Sequence, residues 1–174
     1  MDVDLAESIR GWDGKSVDAI KRIHDRFAKQ PDYLERLVHL AADPDLETGA
    51  TWLLKHYLEQ TKQPLGPDLS ARFAALASGL GGWEARLHSL QIVPRLILAE
   101  PQAVEALLRF ALDCRADANK FVRAWAYSAM YLLALEHPVP RAEVRAILQE
   151  AANTEQAASA KVRLRRALEQ GFPA

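Results

Sequence analysis

Four arginines, Arg36, Arg72, Arg109 and Arg145, recur at intervals of 36, 37 and 36 residues. Each stands in a similar stretch that opens on proline: PDYLERLVHL from Pro31, PDLSARFAAL from Pro67, PQAVEALLRFAL from Pro101 and PRAEVRAIL from Pro140. A period of this length accommodates one pair of helices, too small to bury its own apolar face. Such units must therefore stack side by side. The expectation is an all-α chain forming an α-solenoid of about four helical pairs, with function on an extended face and not in an enclosed pocket.

Apolar residues repeat at helical spacing and strand alternation is missing. Residues 16–30 read as an amphipathic N-terminal cap helix, with Ser16 as N-cap and Val17, Ile20, Ile23 and Phe27 on one face. The helical pairs are expected at 31–42 with 46–60, 67–79 with 82–98, 101–116 with 119–136, and 140–152 with 155–170. Proline suits the start of a first helix because its missing N–H has no partner there in any case. The glycines mark joints, since neither GxxxxGK[ST] nor GxGxxG occurs. The whole chain, 1–174, reads as a single domain.

The second helices align as well, through Ala50-Thr51, Ala85-Arg86, Val122-Arg123 and Val162-Arg163, at spacings of 35, 37 and 40. Asp45 and Asp117 each lie six residues ahead of the aligned arginine position. Over roughly residues 31–170 the chain resembles the HEAT/ARM-like repeat superfamily, in which a turn carrying Asp is followed by a helix beginning Val-Arg. That resemblance implies a right-handed α-solenoid with the first helices in its convex layer. It also implies structural roles for Arg86, Arg123 and Arg163 against the turns. Thr51 replaces the arginine in the first unit, Gly81-Gly82 replaces the turn Asp in the second, and the last unit lacks that Asp, so the Asp–Arg ladder is expected to be incomplete.

Charge is balanced overall at −1 but graded along the chain, with residues 1–66 summing to −3, 67–118 to −1 and 119–174 to +3. The single cysteine, Cys114, excludes an intrachain disulfide and favours a reducing compartment. The longest apolar run is about twelve residues, short of the ~20 that a membrane helix requires. With an acidic start lacking an apolar signal core, the chain is expected to be cytoplasmic, without a membrane role. The five histidines are dispersed and form no metal-ligand spacing, and no nucleophile motif occurs. Neither cofactor, metal nor catalytic residue is therefore expected.

The remaining candidates are surface residues. Asp32, Asp68 and Glu105 each precede their arginine by four, the order that neutralises a helix surface. Arg141 breaks this pattern beside Arg145, leaving two like charges in want of an external anion. Lys161, Arg163, Arg165 and Arg166 form a basic cluster on the last helix. Tyr127 and Tyr131, one turn apart, read as a groove site beside Lys120, while Trp52 and Trp83 are expected to seal contacts between repeats and Trp12 to clamp the N-terminal segment.

These features suggest a non-catalytic adaptor binding a protein or peptide with an acidic segment. The rival is nucleic-acid binding. Alkylpurine DNA glycosylases are built on HEAT-like repeats, and Trp125, Tyr127, Lys120 and Asp117 supply the residue types of their groove. The net charge of −1 argues against it. Self-assembly into a larger complex is a third reading.

Overall fold

A computed structural model describes residues 4–172 of the chain. Among these residues the backbone forms ten α-helices and no strand: Leu5–Arg10 (α1), Val17–Phe27 (α2), Tyr33–Leu40 (α3), Glu47–Thr61 (α4), Pro67–Ala77 (α5), Trp83–Ile92 (α6), Pro101–Cys114 (α7), Lys120–Glu136 (α8), Arg141–Thr154 (α9) and Ala158–Gln170 (α10). The helices expected as pairs are all present, with α3 packed on α4, α7 on α8 and α9 on α10, while α5 and α6 do not pack closely on each other. The second members of the pairs pack in succession, α4 on α6, α6 on α8 and α8 on α10, while α3 packs on α5 and α5 on α7. Two apolar clusters fill the interior, and Leu76 and Leu96 lie against both.

α8 is the central helix, touching α6, α7, α9 and α10. Its buried face runs Val122, Ala126, Ala129, Met130 and Leu133, and small residues at 124, 126, 129 and 134 let neighbouring backbones approach. Phe121 lies outside this buried face. It sits 47% exposed at the first turn, with the Lys120 ammonium over its ring. Trp83, expected to seal a contact between repeats, is 43% exposed at the N-terminus of α6. Trp52 is half-buried and stacks on His56.

α6 ends earlier than the expected residue 98. Pro94 has no N–H to continue the helical ladder, and the chain passes through a 3-10 turn at Val93–Arg95 into extended backbone. There Leu65 N–H donates to the Arg95 carbonyl at 2.7 Å and Ile97 N–H to the Leu65 carbonyl at 3.2 Å, an isolated parallel bridge between two connections. The buried Ser70 hydroxyl secures it, donating to the Leu65 carbonyl and accepting from Ile97 N–H.

The N-terminal end holds one more helix than expected. Ser16 caps α2 as predicted, accepting from Ala19 N–H, and Trp12 donates its indole N–H to the Ser16 carbonyl at 2.9 Å. α1 precedes both, with Leu5 and Ile9 buried. It lies so close to α4 that a Cβ on Gly49 would stand 2.5 Å from Ile9 Cγ2 and 3.5 Å from the Trp12 ring. Gly49→Ala is therefore expected to lift α1 away, lowering stability by about 1–3 kcal/mol in urea unfolding. Hydrogen exchange should accelerate over residues 4–12 and stay unchanged in α8; uniform or absent acceleration would contradict this packing.

Candidate docking surface

Polar groups tie each second helix to the unit that follows it. In the first unit Glu47, buried at the start of α4, accepts from the backbone N–H groups of Gly81 at 3.0 Å and Gly82 at 2.5 Å. These donors stand at the N-terminus of α6, where the exposed N–H groups favour an anion. A Cβ on Gly82 would lie 2.8 Å from the Glu47 carboxylate, so a side chain there would displace that carboxylate from its present position.

In the second unit Arg86 donates Nη1–H to Asp117 of the third at 3.0 Å and Nε–H to the Leu80 carbonyl. Arg123 of the third unit grips Glu155 of the fourth with both Nε–H and Nη2–H, at 2.9 and 3.0 Å, and donates Nη1–H to the carbonyls of Asp117 and Ala118. Two-pronged charge-assisted bonds of this kind fix orientation as well as contributing energy.

This arrangement corrects the expected ladder in three places. Asp117 serves the arginine of the preceding unit with its side chain and offers Arg123 only its backbone carbonyl. The last unit does hold a turn acid, Glu155, which also accepts from the N–H groups of Gln156 and Ala157. In the first two units Thr51 and the Gly81-Gly82 pair compensate for one another, since a carboxylate on the earlier unit meets bare backbone on the later one. Thr51 itself lies 3.1 Å from His88 Nδ1.

The first-helix arginines follow the same habit. Only Arg109 pairs within its helix, with Glu105 at 2.7 Å. Arg72 reaches Glu35 of the preceding unit at 2.9 Å, and Arg36 pairs with Asp4. Stacked helices bring these acids closer than the helix's own acid four residues back.

Several candidate site residues are already engaged. Tyr127 is 5% exposed, and its hydroxyl donates to Glu155 at 3.4 Å, so it lines no groove. Tyr131 donates to the Gly171 carbonyl and its ring lies against Phe172, whose other neighbour is the Arg145 guanidinium. Arg141 has no need of an outside anion, for it donates to the carbonyls of Ala134 and Leu135 at the end of α8. Arg163 lies 3.6 Å over the Trp125 ring and donates to the Ser128 hydroxyl.

Lys120, Arg145, Lys161, Arg165 and Arg166 are exposed. None of these five makes an ion pair among the described residues. Lys161 and Arg165 line a depression of about 500 Å³ on the outer side of α10, with Ala152, Val162, Leu168 and Glu169.

The glycosylase-type residues do not converge on an open surface. Trp125 lies under Arg163, Tyr127 is buried, and the Asp117 carboxylate is held by Arg86 and the N–H of Asn119. Among the described residues no three His, Cys, Asp or Glu side chains are grouped to hold a metal ion, and no helix is long and apolar enough to cross a membrane. Cys114 is buried, and burial pushes its thiol up to about 12. His24, His56, Trp52, Tyr33 and Tyr57 form an aromatic cluster joining α2, α3 and α4. Compared with known proteins, the chain matches no family model, no curated protein and no solved structure.

Glu155, which is buried, and His88, which is half-buried, set a pH dependence. Arg123, with the backbone N–H groups of residues 157 and 156, holds Glu155 down at about 2, so its stabilisation is complete above about 4.5 and is lost as pH falls toward 2. Burial first, and the nearby Lys55 second, depress His88 from 6.5 to about 4, so the fold favours neutral imidazole and weakens as pH falls through that interval. Between pH 7 and 4.5 the wild type is expected to lose about 2 kcal/mol through His88. His88→Gln should flatten this slope in pH-dependent urea unfolding, leaving the smaller contribution of His24 and His56, which burial also lowers. At pH 7 Glu155→Gln should cost about 2–4 kcal/mol by leaving Arg123 without its counter-charge. An unaltered slope in the first variant, or a neutral effect in the second, would contradict these assignments.

Proposed function

We propose that this chain is a HEAT/ARM-like, right-handed α-solenoid acting as a non-catalytic protein-binding scaffold, with the exposed basic side of its last helical pair as the docking surface for an acidic segment of a partner. The observation that carries the reading is the contrast between arginines. Arg86, Arg123, Arg141 and Arg163 are spent on internal contacts, whereas Lys161, Arg165 and Arg166 stand in solvent beside the apolar Val162 and Leu168. A surface that combines unpaired positive charge with exposed apolar area suits a partner carrying carboxylates around an apolar anchor. The groove once expected at Tyr127 and Tyr131 has no part in it, because both tyrosines are occupied.

Affinity capture with the wild type and with an Arg165→Glu/Arg166→Glu variant of equal stability tests the reading. Proteins bound through this surface should be lost at least ~10-fold, which corresponds to about 1.4 kcal/mol. A variant that retains every wild-type partner would contradict it. Titration against duplex DNA at several salt concentrations checks the rival directly: a protein-binding scaffold should show no steep dependence of affinity on salt, whereas a chain that neutralises several phosphates must.

A further inference from the structure

α8 and α10 superimpose in sequence once burial sets the register. The buried positions Val122, Ala126 and Ala129 of α8 correspond to Ala160, Leu164 and Ala167 of α10, and Asp117 corresponds to Glu155, each 38 residues later. The repeat of Arg123 is therefore Lys161 and not Arg163, which explains why Arg163 folds back on Trp125. In the same register Ala124, Tyr127, Met130 and Tyr131 correspond to Val162, Arg165, Leu168 and Glu169.

On α8 three of these five positions engage the fourth unit and the other two are buried. Arg123 and Tyr127 hold Glu155, Ala124 and Met130 are buried, and Tyr131 binds Gly171. On α10 Lys161, Arg165 and Glu169 are exposed, Val162 is 37% exposed and Leu168 half-buried, and together they line the depression on its outer side. The surface by which one unit receives the next is thus laid out again on α10, and none of the described residues packs upon it.

We propose that this face is an unfilled rung, which accepts a helical hairpin of a partner protein whose turn carries a carboxylate just ahead of its second helix. The inference rests on the scaffold reading and specifies the partner's geometry. Charge supports it: at the two preceding arginine rungs the incoming group is an acid, Asp117 on Arg86 and Glu155 on Arg123, and here two cations, Lys161 and Arg165, outnumber the one acid of the face, Glu169. A second copy of this chain is the poorer occupant, because its opposite end is closed by α1 and α2, with Ile9 seated against Gly49.

The test adds a second copy of residues 135–172 directly after residue 172, so that the added turn glutamate follows Lys161 by the same 32 residues that separate Glu155 from Arg123. The added hairpin should stack, raising the melting midpoint by roughly 3 °C or more and protecting its amides from exchange. Lys161→Glu in the host should abolish the gain, and changing the added glutamate to Lys in that variant should restore it. An added hairpin that remains protease-sensitive with the midpoint unchanged overturns the rung, as does stacking that ignores both charge changes. Sedimentation of the unextended protein completes the test: a monomer is expected, and a dimer broken by Lys161→Glu would assign the face to a second copy and overturn the partner hairpin. Partner capture that depends on Arg166 but not on Lys161 or Val162 would overturn the rung alone, leaving the scaffold reading intact; loss of all capture specificity would remove both.

Discussion

The buried carboxylates of Glu47, Asp117 and Glu155 are satisfied by groups in adjoining units, and the rest of the structure depends on this exchange. A carboxylate removed from water is costly without a partner, and here each partner lies across a boundary between helical pairs. Within their own unit Asp117 and Glu155 find only backbone N–H donors, and their arginine partners come from the neighbour. Apolar packing supplies the bulk of the driving force, but it tolerates sliding of one helix along another, whereas the two-pronged Arg123–Glu155 contact fixes register. The same contacts explain a local peculiarity, the low pKa of Glu155.

Much of the fold was legible in the chain. Proline at the start of α5 and α7, Ser16 ahead of α2 and the apolar period placed most helices within a few residues, because these signals are local. α1 was missed because six residues form less than two turns; its evidence lay in the four-residue spacing of Leu5 and Ile9 and the nearby Trp12. The end of α6 was misplaced although Pro94 marks it, since the apolar run continues through Leu98 in extended form.

The candidate site was less legible, for a physical reason. Pairing by the four-residue helix rule assigned Asp32 to Arg36 and Asp68 to Arg72, but stacking presents Asp4 and Glu35 instead. Tyr127 and Tyr131 had the spacing of an exposed pair, yet the fourth unit covers both, which only the arrangement of units reveals. Aligning Val162-Arg163 with Val122-Arg123 matched letters and not faces. The buried sequence Ala160, Leu164, Ala167 shifts the register by two residues and places Lys161 on the outer side. Lys161, Arg165 and Arg166 needed no such correction, since a cluster of cations facing water is visible wherever it occurs.

The central claim is that Asp117 belongs energetically to the unit before it. Two double-mutant cycles sharing Asp117→Asn, one with Arg86→Met and one with Arg123→Met, measure this directly by urea unfolding. The Arg86–Asp117 cycle should give a coupling of about 1 kcal/mol or more, and the Arg123–Asp117 cycle a distinctly smaller one. The reverse ranking would show that each unit pairs its own arginine with its own turn acid, and would contradict the account.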